Sequence, residues 1–381
     1  MSNLTPTELL QKIEEQKKRL STTSLDLSFN ELLDMIENKE LNIQPDFQRL
    51  FQWSEGARSR FIESLLLEMP IPPIYVVEDE ENKYLLIDGL QRISSYLHFR
   101  GRLDAPDMDI AKGQQLTLTE CDIVPSFNGL TFDDLPTALQ IRLKRYFVRV
   151  EVVRYGSDAH YKYYMFKRLN TGGVSLSEQQ IRNCTIRLLN PKFNDFIKEL
   201  TKYPAYRNTI QNITEEQSKK WYDEELILRF FALKNWREGF SHEVGDYLTE
   251  YMERVADTDS PRHLKFDYEA EVAVFKRTFD MLDKSLGSLA FSRANSKGID
   301  LVEGFGIYHF EAISIGCQSL VQARGDDIEP IVGQLAAVLR GIKLSPEFIG
   351  FTKGGGKNSK GLLDQRISHV RQKIAESFEI L

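Results

Sequence analysis

Apolar residues along this chain switch between a spacing of two and a spacing of three to four, and the switches mark its elements. Segments 74–77 and 84–87 are dense in branched and aromatic residues and flank the polar stretch 78–83, which predicts a β-hairpin. Segment 147–153 alternates as a further strand, 115–118 is β-like, and 42–46 reads as extended. Helical spacing runs over 30–37 and from Ser54, a capping residue, through Arg58, Phe61, Ile62, Leu65 and Leu66 to the break at Pro70. Thr5-Pro6-Thr7-Glu8 opens an amphipathic helix over 5–21, for which docking on the body of the protein is one simple role.

Beyond about residue 154 the helical spacing takes over. It covers 158–169, 177–189, 192–202, 219–235, 244–255, 267–286, 306–320 and 328–342, followed by the basic glycine-rich loop 353–361 and a last helix carrying Arg366. The pattern predicts an α+β N-terminal domain, a small mixed sheet with helices, followed by a mostly α-helical C-terminal domain. The boundaries read as an N-terminal helix at 1–24, the α+β domain at 25–155 and the helical domain at 156–381.

Composition refines this picture. With 41% hydrophobic and 11% aromatic residues over 381 positions, the chain can bury sizeable cores. Apolar runs such as 71–77 fall far short of the roughly 20 residues needed to span a bilayer, and the start lacks a basic region followed by an apolar one, so a soluble, cytoplasmic protein is expected. Cys121, Cys184 and Cys317 form no CxxC pair and read as reduced thiols, and the six histidines form no metal-ligand spacing. Net charge is −7, yet residues 138–187 hold ten Lys/Arg against three carboxylates. On one face these cations, with Arg142, Lys144 and Arg145 foremost, would attract phosphates of a nucleotide or of DNA; spread over several solvated helix faces they would not.

Two constellations carry candidate chemistry. The first is the strand, turn and helix at Asp88-Gly89-Leu90-Gln91-Arg92. Amides at a helix start point at whatever lies over the strand end, and the dipole there favours an anion. Gln91 and Arg92 would add donors, Gly89 would allow close backbone approach, and Asp88 would hold Mg²⁺ or orient water. The bland alternative is an Asp-Gly turn with a solvated arginine. The second constellation runs from Gln44 to Trp53, where Gln48 and Arg49 sit between Phe47 and Trp53, as in an aromatic floor with polar tips for a base or sugar; the alternative is a core tryptophan with a surface arginine.

Phe47-Gln48-Arg49 followed by Trp53, then Pro70-Ile71-Pro72-Pro73-Ile74, then Ile87-Asp88-Gly89-Leu90-Gln91-Arg92, resemble in order and spacing the N-terminal domain of the GmrSD type IV restriction endonucleases, in the ParB/sulfiredoxin-like superfamily. Leu90 stands where that family usually has Gln. Asn170-Thr171-Gly172-Gly173, between two helical stretches, is similar to the family as well, and its amides and hydroxyl suit a phosphate or a metal-bound water. The resemblance covers roughly 25–190. It implies an NTP-binding and NTP-hydrolysing site with Mg²⁺, in which Asp88, Gln91 and Arg92 are catalytic and Asp88 holds the metal. Gln48, Arg49, Gly89, Ser94, Lys167, Arg168, Asn170, Thr171, Gly172 and Gly173 would bind the nucleotide.

The same resemblance implies a DNA-restriction or phage-defence setting in which a partner effector protein is gated by the nucleotide, since no His/Asn pairing for an HNH nuclease half is visible. Replacing Arg92 by Ala is expected to slow hydrolysis about tenfold or more without unfolding. An alternative is a sensor of modified DNA without turnover, contacting it through Phe47, Gln48, Arg142, Lys144 and Arg145. A second alternative is a Mg²⁺-dependent nuclease through Pro45-Asp46 and Glu81-Asn82-Lys83. Gly354-Gly355-Gly356-Lys357 is not a P-loop, because Phe351 and Asn358 occupy positions that need Gly and Ser or Thr.

Overall fold

Strands β1 (Thr22–Ser28) and β5 (Phe147–Val153) lie antiparallel, with Thr22 opposite Val153 and Ser28 opposite Phe147. Because side chains alternate across a strand, Val148, Val150 and Val152 enter the core while Asp26 and Arg149, cross-strand partners at 3.2 Å, face solvent. Parallel to β5 runs β3 (Ile74–Glu78), which forms the expected hairpin with β4 (Tyr84–Asp88); the short β2 (Leu41–Asn42) adds on parallel to β4. The result is a five-stranded mixed sheet in the order β1-β5-β3-β4-β2.

These elements come from a computed structural model that describes residues 5–17, 21–43, 53–105, 109–157, 165, 168–169, 177–187, 189–240, 243–325, 327–354 and 356–380. The chain divides into two compact units, Met1–Val174 and Ser175–Leu381.

In the first unit, helices α2 (Phe29–Glu37), α3 (Glu55–Leu66), α4 (Leu90–Phe99) and α5 (Thr137–Arg145) accompany the sheet. Ser28 and Ser54 cap α2 and α3 by accepting the amides of Glu31 and Ala57. Ile62, Leu65, Leu66, Tyr96, Phe99, Ile74 and Val76 are fully buried, each contributing about 1.5–3 kcal/mol of apolar transfer. The first helix, α1 (Pro6–Lys17), is opened by a reciprocal Thr5–Glu8 cap. Its Leu9, Leu10 and Ile13 are exposed, so these apolar residues do not dock on the described residues. Segment 115–118 forms no strand either. Leu116 and Leu118 alternate into the core, but their amides pair singly with the carbonyls of His98 and Leu130 and build no ladder.

The second unit is helical, apart from the two-residue strands β6 (Arg293–Ala294) and β7 (Leu301–Val302). Near the start of the expected helix 219–235 lies a break at Trp221, whose left-handed backbone (φ 57°) separates Glu215–Lys219 from Tyr222–Asn235, so only Lys219 falls in the earlier helix. Expected helix 306–320 likewise divides into Ile307–Gly316 and Gln318–Arg324. Expected helix 158–169 lies largely outside the described residues.

A chain of alternating charges ties four of these helices together. Arg366, 0% exposed on Lys360–Phe378, donates to Glu311 on Ile307–Gly316 and to the Lys357 carbonyl at 2.8 Å. Glu311 also accepts from Arg229 at 2.6 Å; Arg229 reaches Glu225 at 3.1 Å, and Glu225 reaches Arg182 on Glu178–Ile186 at 3.4 Å. Burial of an arginine is tolerable only with such pairing.

Candidate functional site

The hairpin strand β4 ends at Asp88, Gly89 follows with φ +113°, and α4 starts at Leu90. Two independent facts require glycine here. Its backbone lies in a region side chains rarely adopt, and a Cβ would meet Ile74 Cγ1 at 2.9 Å. The turn is therefore seated directly on the end of the Pro70–Ile74 motif. Leu90 is half-buried against the apolar core, so the residue that replaces the usual Gln joins the packing.

Arg92 binds the same motif from the other side. Its guanidinium donates to the carbonyls of Pro72 and of Pro73, the latter at 2.9 Å, and to the carboxylate of Asp88. Consecutive prolines supply carbonyls and no amides, so an external donor is needed, and the planar arginine fork serves both. Arg92 is buried while the Asp88 side chain stays 39% exposed. Arg92 thus holds the turn together, so its replacement by Ala would carry a structural cost beside any effect on turnover. Asp88 presents the accessible carboxylate.

Gln91 accepts the Trp53 amide at 3.2 Å. Trp53 also offers its carbonyl to Arg58 at 3.1 Å and its ring to Phe61, centroids 5.7 Å apart. Arg58 continues to His98 Nδ1 at 2.8 Å; since arginine only donates, this nitrogen accepts. Burial and the adjacent Arg58 charge push the His98 pKa down to about 4, which keeps the ring neutral. On the opposite flank, Asn42 pairs in register with Leu85 of β4. Of the second constellation, Trp53 is thus fixed beside the β4–α4 junction, through Gln91.

Phe47, Gln48, Arg49, Lys167, Asn170, Thr171, Gly172 and Gly173, with Asp46 of the nuclease pattern, lie outside the described residues. Ser94 is 1% exposed, so its hydroxyl faces the interior and not the surface of the turn, a correction to its place among nucleotide contacts. Arg168 is exposed. Glu81 sits exposed at the hairpin tip, ion-paired with Lys83. Among the described residues no cluster of three or more His, Cys, Asp or Glu could hold a metal ion.

The basic segment is divided among many partners. Arg142 pairs with Glu68, Arg149 with Asp26, Arg154 with Glu78, Arg182 with Glu178 and Glu225, and Arg187 with Asp195. Lys144 lies 5.6 Å from the Phe132 ring centre and Arg145 is exposed, both in the last turn of α5, where the helix dipole favours cations. Sequence reasoning missed three features: the proline carbonyls as the ligands of Arg92, Gln91 as the clasp on Trp53, and the Arg58–His98 pair. Only the first had a visible signal, the amide-free Pro72-Pro73 pair.

Residues 29–187 match the family model described as GmrSD restriction endonuclease, N-terminal domain. This part of the chain is similar to a GmrSD N-terminal domain. The match spans β5 and the whole turn, and it points to a component of a restriction or phage-defence system. No match to the chain was found among curated proteins or among solved structures. Among the described residues no helix is long and apolar enough to cross a membrane.

Proposed function

We propose that the GmrSD-type unit binds a nucleoside triphosphate with Mg²⁺ over the Asp88–Gly89 turn, hydrolyses it, and thereby gates a partner effector protein in restriction. The observation that carries this reading is the half-exposed Asp88 carboxylate, held from behind by a buried arginine, at a strand end that opens into a helix N-terminus. Backbone amides at the start of α4 favour phosphate oxygens there. A single carboxylate suits Mg²⁺, which is commonly held by one or two carboxylates together with substrate phosphates and water. When bound, the ion would neutralise charge developing on the phosphates.

The protein's own part is positional. Arg92 orients Asp88, Gly89 lets the turn seat against Ile74, and Gln91 holds Trp53, which fixes the chain as it enters α3. Phosphate release from ATP, GTP, CTP and UTP with Mg²⁺, with and without modified DNA, tests the proposal. Asp88→Asn is expected to slow release by about tenfold or more while leaving the circular dichroism spectrum unchanged. Absence of turnover with all four nucleotides, or an Asp88→Asn rate equal to wild type, overturns it. DNA binding without turnover would support a modified-DNA sensor instead.

A further inference from the structure

The second unit contains a cavity of about 1140 Å³ between the β6–β7 hairpin, the start of helix Ile307–Gly316 and helix Pro346–Thr352. Its lining includes Arg293, Lys297 and Lys353 and no aspartate or glutamate. In a chain whose net charge is −7 and whose cations are widely ion-paired, that is a pronounced bias. None of the three forms an ion pair among the described residues. Leu344, Pro346 and Ile349 give the cavity an apolar wall.

Two polar groups converge at the helix start. A Cβ built on Gly306 would lie 2.8 Å from His309 Nδ1 and 3.3 Å from Arg293 Nε, so the bare glycine keeps a small cradle open between them. Gly306 caps the helix and offers no side chain to its first amides. His309 is 4% exposed and lines the cavity; its amide donates to the Gly306 carbonyl, and its side chain makes no hydrogen bond among the described residues. An edge-on contact with Phe348, centroids 5.2 Å apart, holds its ring. A buried polar side chain left without a partner calls for one.

We infer that this cavity binds a small phosphate-bearing organic molecule, with the anion at the Gly306 cradle between Arg293, His309 and the helix amides, and the organic part against the apolar wall. Lys297 and Lys353 flank the entrance and draw the anion in. The volume lies above the roughly 300–1,000 Å³ usual for ligand sites, so inorganic phosphate alone would leave most of it unfilled. Burial, with the cations Lys343 and Arg293, holds the His309 pKa down to about 3, so the neutral ring can donate one hydrogen bond to an arriving anion.

Calorimetric titration of the full chain with ATP, AMP, ribose 5-phosphate and inorganic phosphate tests this, together with ¹⁵N-histidine spectra assigned through His309→Gln. At least one organic phosphate is expected to bind and to shift the His309 resonance. Arg293→Glu with Lys353→Glu, both exposed positions that should leave folding intact, is expected to weaken that binding by about tenfold or more. Asp88→Asn should leave the His309 shift in place, which separates this site from the one in the first unit. Failure of all four probes to move the His309 signal, or binding unchanged in the double variant, overturns the inference.

Discussion

The guanidinium of Arg92 donates to the carbonyl of Pro73 at 2.9 Å, and through this bond between residues 19 apart in sequence two motifs become one structural unit. Arg92→Ala would leave the Pro72 and Pro73 carbonyls without their donor and free Asp88 to rotate. It is expected to cost about 2–3 kcal/mol in denaturant unfolding as well as turnover. Asp88→Asn keeps an acceptor for Arg92 and is expected to cost under about 1 kcal/mol. Equal stability losses in the two variants would refute the division of labour between them.

Gly89 and Ile74 make a second, steric link. Gly89→Ala is expected to destabilise by about 1–3 kcal/mol, from strain at φ +113° and from the approach to Ile74 Cγ1. Ile74→Ala should cost about 2–5 kcal/mol alone. In the double variant the clash is gone and the strain remains, so the losses should fall short of additivity by about 0.5 kcal/mol or more. Strict additivity in a thermodynamic cycle would show that the two residues do not touch.

His98 predicts a pH dependence. Its folded pKa, about 4, lies below the ordinary value of 6.5, so the unfolded chain takes up the proton first. Its share of stability is therefore complete above pH 6.5 and is lost as pH falls from 6.5 towards 4. His98→Gln retains an acceptor for Arg58 but does not titrate, and should flatten the decline of the urea midpoint across that window. An unchanged slope would remove His98 as its source.

In the second unit, Arg366→Met is expected to destabilise by about 3–5 kcal/mol, because Glu311 loses one of its two arginine partners in a buried setting. Urea denaturation measures this. A loss under about 1 kcal/mol would mean that Arg229 alone satisfies Glu311.

Much of this architecture was legible in the spacing of apolar residues. Strand 147–153, the 74–88 hairpin and the Ser54 cap follow directly from alternation and capping chemistry. Strand β1 escaped notice because its alternation rests on Leu25 and Leu27 alone, and it becomes a strand only through pairing with β5. The helix break at Trp221 depends on a left-handed backbone that no glycine announces. At the site, the glycine and the half-exposed aspartate could be read from residue type. The burial of Arg92 and Ser94 could not, since periodicity says which face of a helix turns inward and not what that face meets.

The alternating charges of Arg366, Glu311, Arg229, Glu225 and Arg182 act across the helices of the second unit as a key acts in a lock. An apolar interface tolerates sliding, because one leucine replaces another at small cost. A shift of one helical turn here, about 5.4 Å, would face arginine with arginine or strand a carboxylate in hydrocarbon. Misassembled packings are thereby penalised more heavily than the native one is rewarded, and the helices can settle in one alignment only.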